Sequence, residues 1–131
     1  MRKQIQKLIL FISLATTIPI FSGCIPLLVG AAAGAGGYAW VRGALVKQFD
    51  TPTTKLHEAT LRALKNLKLA VQYDKSDRIT STTRSEFSDG KNINIDIRAV
   101  TEYTARITIR VGFFGDRVRS EMILDALQKS F

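Results

Sequence analysis

Alternating hydrophobic and polar residues mark two segments in the C-terminal half of the chain. Between Lys91 and Val100, isoleucine or alanine occupies every second position from Ile93 onward, and polar residues fill the positions between them. The segment from Tyr103 to Val111 repeats this alternation. Because successive side chains of a strand point to opposite faces, the pattern predicts two strands of an antiparallel sheet that has one buried and one solvated face.

Further strands are predicted before this pair in the chain. The segment from Arg78 to Phe87 is rich in Thr and Ser, and Asp89-Gly90, a pair typical of a hairpin turn, follows it. Leu69 to Tyr73 is predicted to be another strand. Tyr38 to Phe49 is also compatible with a strand, although its alternation is poor. The sequence therefore predicts a sheet of about four antiparallel strands.

Two segments show the spacing of amphipathic helices. In the first, Thr51 is expected to cap the helix and Pro52 to occupy its first position. Asp116 is expected to cap the second. The apolar stripe of the first helix is Leu56, Ala59, Thr60, Ala63, Leu64 and Leu67, and that of the second is Val118, Met122, Ile123, Ala126 and Leu127. Two helices packed on one face of the sheet give a two-layer α+β domain.

The sequence "GFFGD" separates the last strand from the last helix. Gly112 and Gly115 are expected to adopt backbone dihedrals that other residues avoid. Phe113 or Phe114 is expected to pack beneath this turn. Asp116 would satisfy the N–H groups at the start of the helix, so the pattern favours a structural turn over an anion-binding loop.

The N-terminal segment has the layout of a secretory signal. Met1 to Lys7 is basic, Leu8 to Phe21 is mainly apolar, and the small residues Ser22 and Gly23 precede Cys24. "FSGC" resembles the lipobox of bacterial lipoproteins, which implies cleavage before Cys24 and lipid attached to its thiol. The resemblance also favours the outer membrane, because the residue after the cysteine is not Asp. The predicted division is a signal peptide at 1–23, a lipidated tether at 24–43 and a domain at 44–131.

The predicted tether is apolar and rich in Gly and Ala. Its Gly30 and Gly34 form a small-xxx-small pair, which in an apolar helix is typical of a dimerisation face. Pro26 and the Gly36-Gly37 pair weaken such a helix. Two interpretations therefore remain open: a tether at the membrane surface, and a membrane-embedded segment that drives oligomerisation.

The charge balance indicates anionic partners. The chain carries 19 Lys and Arg against 11 Asp and Glu, and loss of the three basic residues in the signal leaves 16 and a net charge of about +5. The envelope compartment makes nucleic acid an unexpected partner. Anionic lipid, cell-wall polymer or an acidic protein are the expected classes. Cys24 is the only cysteine, so no internal disulfide can form.

Arginines gather on the predicted solvated face of the sheet. The predicted anionic-partner site consists of Arg84, Arg98, Arg106 and Arg110. Arg78 is expected on the same face, and Arg117 and Arg119 are expected to extend it at one edge. Guanidinium groups suit bidentate contact with carboxylate or phosphate. The alternative is a solvated face whose arginines pair with Glu86 and Asp96 across strands.

No residue pattern predicts catalysis, a cofactor or a metal. His57 is the only histidine, and "HEATL" places Leu61 where a zinc-protease helix needs a second histidine. The pattern therefore predicts a histidine on the helix surface. Enzymatic activity is not predicted.

Three stretches together resemble a family of short bacterial lipoproteins whose domain has no assigned function: "GAAAGAGGYAWVRG", "ATLRALKNLKL" and "ITIRVGFFGDRVRSEMIL". The resemblance implies an α+β architecture and an envelope location, and it supplies no catalytic residue. The predicted function is a lipid-anchored, non-enzymatic binding or scaffold module. A membrane-embedded oligomeric assembly protein is the alternative.

Overall fold

The computed structural model describes residues 37–131, which form one sheet and two helices. The predicted signal peptide, Cys24 and the Gly30 and Gly34 pair lie outside the described residues. The strands are β1 (Ala39–Val41), β2 (Ala44–Phe49), β3 (Val71–Ser76), β4 (Thr80–Glu86), β5 (Asn92–Ala99) and β6 (Ala105–Val111). The helices are α1 (Thr53–Asn66) and α2 (Arg117–Gln128).

The six strands form a single sheet in the order β1-β2-β6-β5-β4-β3, and every neighbouring pair is antiparallel. Both helices contact the sheet, α1 chiefly β5, β3 and β4 and α2 chiefly β6 and β2. The predicted α+β class is confirmed. The predicted number of about four strands is wrong, because the segment from Tyr38 to Phe49 is a hairpin of two strands. Its alternation is poor because the chain reverses direction at Arg42 and Gly43.

This first hairpin begins inside the predicted tether. Residues 39–41 pair with β2, and Tyr38 and Trp40 pack against the hydrophobic core. The folded region therefore begins before residue 44, the predicted start of the domain. The aromatic rings at 38 and 40 lie on the same side because they are two positions apart.

The core lies between the sheet and the two helices. The alternation predicted for β5 and β6 is confirmed, since Ile93, Ile95 and Ile97 are buried in β5 and every second residue of β6 is buried. Ala99, at the end of β5, is half-buried. The largest fully buried side chains include Ile93, Ile95, Ile97, Ile107 and Ile109 from the sheet and Leu56, Leu64, Ile123 and Leu127 from the helices. Burial of each such side chain contributes about 1.5–3 kcal/mol relative to its exposure. No helix of residues 37–131 packs on the opposite face of the sheet.

The helix boundaries differ slightly from the prediction. Pro52 is the N-cap of α1, and no side chain caps this helix, so Thr51 does not act as predicted. Asp116 caps α2 as predicted and accepts a hydrogen bond from the backbone N–H of Arg119 at 3.1 Å. Val118 and Met122 were predicted to be buried and are exposed.

Ile123 and Leu127 are buried as predicted, and Ser120 and Leu124 complete the buried face of α2. Ser120 donates its hydroxyl hydrogen bond to the carbonyl of Asp116 at 2.8 Å, which lets a polar residue occupy a buried position. The predicted stripe omitted Ser120 because sequence periodicity treats serine as a solvent-facing residue.

The turn between β6 and α2 contacts the first hairpin through backbone atoms. Gly112 and Gly115 have positive φ values of 71° and 87°, as predicted. A Cβ atom at Gly115 would lie 2.0 Å from the carbonyl oxygen of Gly43. The prediction that Phe113 or Phe114 packs beneath the turn is wrong, and both side chains point into solvent.

Candidate functional site

The face of the sheet opposite the helices, called the open face below, carries the predicted arginine site. No helix of the described chain packs on it, because α1 and α2 both lie on the isoleucine side. Alternation and strand register place these residues on the open face: Val46, Gln48, Thr80, Thr82, Arg84, Asn94, Asp96, Arg98, Arg106, Thr108 and Arg110. It is therefore a flat, largely polar surface.

Arg98 and Arg106 lie directly opposite each other on β5 and β6. Both are exposed, and within residues 37–131 neither makes an ion pair or a side-chain hydrogen bond. Their neighbours in the same row are the neutral Thr80 on β4 and Gln48 on β2. Like charges in directly opposed positions destabilise a sheet, so this pair retains positive charge that the folded domain does not balance.

Arg84 and Arg110 share the face but already have partners. Arg84 Nη1 lies 3.3 Å from Asp96 Oδ1, and the Thr82 hydroxyl donates to the same oxygen at 3.0 Å. Arg110 donates a hydrogen bond to the backbone carbonyl of Arg42. The two arginines therefore help to order the face, and less of their hydrogen-bonding capacity is left for a partner.

The charges on the open face follow a pattern along the strands. Arg98 and Arg106 occupy one row, and Asp96, opposite Thr108, occupies the next. Asn94 in the following row lies between Arg84 and Arg110. The Asp96 carboxylate, paired with Arg84, thus lies between the Arg98–Arg106 pair and Arg110.

Arg78, which was predicted on the open face, lies in the turn between β3 and β4. It lines an open cavity of about 550 Å³ at the start of α1, with Pro52, Ile79, Val100 and Tyr103 among its other lining residues. This cavity is mainly apolar. Thr53 also lines it, and the buried Thr53 hydroxyl has no hydrogen-bond partner among the described residues.

Arg117 and Arg119 do not extend the open face, contrary to the prediction, because they belong to α2 on the other layer. Arg117 Nε lies 2.9 Å from Glu121 Oε1, and the guanidinium group lies 6.0 Å from the ring centroid of Trp40. Arg119 donates two hydrogen bonds to the Asp89 carboxylate, at 2.9 and 2.6 Å. Both arginines therefore serve contacts within the domain.

These contacts lower the pKa values of the carboxyl groups involved. The pKa of Asp89 falls from its ordinary value of 3.8 to about 2, chiefly because Arg119 donates hydrogen bonds to the carboxylate. The pKa of Asp116 is also lowered, first by the hydrogen bond from Lys91 and then by the backbone N–H of Arg119. The Tyr38 hydroxyl, ahead of Arg117, lowers the pKa of Glu121.

His57 is buried, with 9% of its surface exposed, so the prediction of a surface histidine is wrong. Its Nδ1 lies 2.7 Å from the Ser81 hydroxyl and its Nε2 lies 3.2 Å from Asp74 Oδ2. Thr83 donates to the other oxygen of Asp74 at 3.0 Å. Sequence reasoning missed this cluster because its members lie on α1, β3 and β4, with no local motif.

The Ser81, His57 and Asp74 side chains contain the groups of a hydrolase triad, and burial determines what they can do. Only 2% of the Ser81 surface is exposed, and this side chain points toward the core side of β4. A nucleophile must reach a substrate carbonyl. The described arrangement gives Ser81 no such access, so the cluster holds α1 against β3 and β4.

Within residues 37–131, no group of three or more His, Cys, Asp or Glu side chains is placed to bind a metal ion. In the same part of the chain, neither helix has the length and hydrophobicity needed to cross a membrane.

The chain belongs to a protein family of unknown function, DUF3568, whose family model matches residues 7–130. The match covers nearly the whole chain, including every strand and helix described above. A comparison with curated proteins finds no match.

Proposed function

We propose that this protein is a non-enzymatic, lipid-anchored envelope protein that docks the acidic surface of another protein on its open face. The observation that carries the proposal is the direct opposition of Arg98 and Arg106 without an acidic partner in the described chain. The repulsion between these two arginines destabilises the free domain, and an acidic partner would relieve it by supplying the missing negative charge.

The chemistry of the pair fits a carboxylate partner. Each guanidinium group presents a planar set of N–H donors that can hold one carboxylate through two parallel hydrogen bonds. Two such groups on neighbouring strands would hold two Asp or Glu side chains side by side. Arginine is also enriched at protein interfaces, where lysine is depleted.

The charge pattern favours a protein over a polyanion. Asp96 lies in the row beside the Arg98–Arg106 pair and offsets the charge of Arg84, so a uniformly negative polymer or lipid surface would gain little attraction there. A folded protein can place a neutral or positive residue opposite Asp96 and acidic residues opposite the arginines. The complementarity of mixed charges is a source of specificity between proteins.

The size of the open face supports a transient contact. Six strands about 4.8 Å apart, with lengths from three residues in β1 to eight in β5, give a surface of roughly 550 Å². Stable interfaces bury about 800 Å² on each partner, so docking on this face is expected to be reversible.

The anchor is proposed from the sequence. "FSGC" at residues 21–24 supports cleavage before Cys24 and attachment of lipid to its thiol. Two or more acyl chains would hold the protein stably on a membrane, since each buried CH₂ contributes about 0.8 kcal/mol. An outer-membrane location facing the periplasm is part of the same proposal. Intact mass and thiol accessibility of the membrane-extracted protein test the anchor.

Photo-cross-linking in intact cells tests the docking proposal. A photoreactive amino acid replaces Thr108, which lies on the open face one row from the arginine pair. The comparison uses Arg98→Gln/Arg106→Gln and a control, Lys55→Gln/Lys65→Gln, which removes the same charge from exposed positions on α1. Products are identified by mass spectrometry.

The proposal predicts a discrete cross-linked protein in the wild type and in the lysine control, and its loss in the arginine variant. The captured peptide should contain or adjoin a pair of acidic residues. A cross-linked product whose gel mobility changes on digestion with a cell-wall hydrolase would identify a cell-wall polymer as the partner. A cross-link to lipid would identify the membrane. Either result, or equal capture by all three proteins, overturns the proposal.

A further inference from the structure

The turn between β6 and α2, residues 112–115 and here called the Phe turn, presents two neighbouring phenylalanines to solvent. Phe113 is 86% exposed and Phe114 is 90% exposed. Their ring centroids are 5.1 Å apart in an edge-to-face arrangement. Single exposed hydrophobic residues are common on soluble proteins, but two adjacent bulky rings at the tip of one turn indicate an interaction site.

The Phe turn is held in place by its surroundings. Gly112 donates its N–H to the carbonyl of Asn92 at 2.8 Å, and Asp116 donates its N–H to the carbonyl of Val111 at 2.8 Å. Gly115 lies in backbone contact with Gly43. The outward direction of the two rings is therefore built into the fold.

Apolar and basic groups surround the base of the turn. Val118, in the first turn of α2, is exposed, as is Val41, next to the hairpin turn that contacts Gly115. Arg42 in that hairpin turn is exposed, and within residues 37–131 its guanidinium group has no partner. The apolar rings at the tip would meet the acyl chains of a bilayer, and the cation behind them would lie at the level of the lipid phosphates.

We propose that the Phe turn inserts Phe113 and Phe114 into the interfacial region of the membrane that carries the lipid anchor, with Arg42 against lipid phosphate. The proposal rests on the proposed anchor at Cys24. Gly37 lies thirteen residues after Cys24 in the chain, so this segment reaches at most about 45 Å. Tyr38 is four residues from Arg42, about 13 Å along a strand, so the segment that follows Cys24 is long enough to reach a membrane surface at the Phe turn.

This orientation leaves the open face available above the membrane. Arg106 lies five residues before Val111, the last residue of β6 before the turn, or about 17 Å along the strand. The Arg98–Arg106 pair is therefore placed beyond lipid phosphates and toward proteins of the compartment. The two surfaces have different partners: lipid for the Phe turn, protein for the arginine pair.

A single attached fluorophore measures the depth of the turn. The probe is an environment-sensitive fluorophore on Phe114→Cys, in lipidated full-length protein reconstituted into phosphatidylethanolamine and phosphatidylglycerol vesicles. Cys24 is the only natural cysteine, so lipidation makes the introduced thiol the only reactive one. The control is Thr101→Cys, an exposed position in the turn between β5 and β6 at the opposite end of the sheet.

At position 114, the fluorophore emission should shift to shorter wavelength, and quenchers attached to lipid should quench it strongly. Quenching by aqueous iodide should be at least threefold weaker at position 114 than at position 101. Equal quenching by iodide at both positions overturns the proposal. A second experiment places the fluorophore on Val118→Cys. When Phe113→Ser/Phe114→Ser is added to this variant, the fluorophore should become exposed to water, with emission at longer wavelength and stronger quenching by iodide. An unchanged position-118 probe contradicts insertion through the two rings.

Failure of the anchor is seen separately. If the wild-type protein reacts with the thiol probe, Cys24 is free and the proposed anchor is wrong. The depth measurement is then made on the Cys24→Ser background added to preformed vesicles of the same composition. Lipid quenching at position 114 supports insertion there as well, and iodide quenching equal to that at position 101 overturns it.

Discussion

His57 Nε2 lies 3.2 Å from Asp74 Oδ2, so the single histidine of the chain connects α1 with β3. The other ring nitrogen of His57 lies 2.7 Å from the Ser81 hydroxyl on β4. One imidazole thus satisfies polar groups of two strands at the sheet–helix boundary. Buried polar groups that lose a partner carry a penalty larger than the hydrogen bond itself contributes.

Replacement of His57 is therefore expected to destabilise the domain. His57→Leu keeps the volume but leaves the Ser81 hydroxyl without its partner and removes one partner of Asp74, and we expect a loss of about 1–3 kcal/mol in the free energy of unfolding. Urea unfolding followed by circular dichroism measures this change. Glu58→Gln, at the exposed neighbouring position, is the control and should stay within about 0.5 kcal/mol. Equal midpoints for the two variants would show that the cluster is not structural.

Gly43 and Gly115 should tolerate substitution less well than another glycine with the same backbone geometry. Gly115→Ala combines backbone strain of about 1–2 kcal/mol with a collision against the Gly43 carbonyl that adds about 1–3 kcal/mol. Gly90→Ala has a similar φ of 83°, but the nearest atom to its Cβ would be Glu86 Oε1 at 3.9 Å, an ordinary van der Waals contact, so only the strain is expected. The comparison uses thermal and urea unfolding.

A smaller effect of Gly115→Ala than of Gly90→Ala would contradict the close backbone contact between the Phe turn and the first hairpin. The two variants share the change from Gly to Ala and its effect on the unfolded chain. Their difference therefore reports the collision alone.

Acid should weaken the domain in a defined range of pH. Because the pKa of Asp89 is lowered from 3.8 to about 2 in the folded protein, its contribution to stability is present above about pH 4 and disappears as the pH falls through about 2. Asp116 and Glu121, whose pKa values are also lowered, act in the same direction. Thermal midpoints between pH 5 and 2 measure the loss.

Arg119→Gln should flatten this dependence, since Arg119 is the main cause of the lowered pKa of Asp89. Arg62→Gln is the control, because the nearest carboxylate oxygen of Glu58 is 4.0 Å from the Arg62 guanidinium group. If Arg119→Gln and wild type lose stability in parallel from pH 4 to 2, the contact between Arg119 and Asp89 does not control the acid response.

Removal of one arginine from the opposed pair should stabilise the free domain. Arg106→Gln relieves the repulsion from Arg98, and we expect a gain of roughly 0.2–1 kcal/mol at low ionic strength. Salt screens exposed charges, so the gain should shrink at 1 M salt. Arg84→Gln, which loses the pair with Asp96, should give no gain. A loss of stability in Arg106→Gln would mean that the free domain uses this side chain.

The sequence predicts the features that depend on local pattern. Alternation in β5 and β6 correctly assigned Ile95 and Ile107 to the core and Arg98 and Arg106 to the opposite face. The N-cap role of Asp116 was also predictable, because a capping side chain acts on the next few residues.

Features that depend on long-range contacts were not predictable. The burial of His57 arises from β3 and β4, which begin more than ten residues later in the chain. The exposure of Phe114 depends on backbone contact with Gly43 in another hairpin. The partners of Arg84 and Arg110, Asp96 and the Arg42 carbonyl, likewise require the register of the sheet. Sequence pattern alone therefore gave four equivalent arginines where the structure separates one unpartnered pair.

Charge reversal tests docking through the Arg98–Arg106 pair most directly. Arg98→Glu/Arg106→Glu should abolish the cross-link formed from position 108 in intact cells. Reversal of the acidic pair beside the cross-linked site on the captured protein to arginine should restore the same product. Loss without restoration, or a cross-link that survives Arg98→Glu/Arg106→Glu, would contradict docking of an acidic protein on the open face.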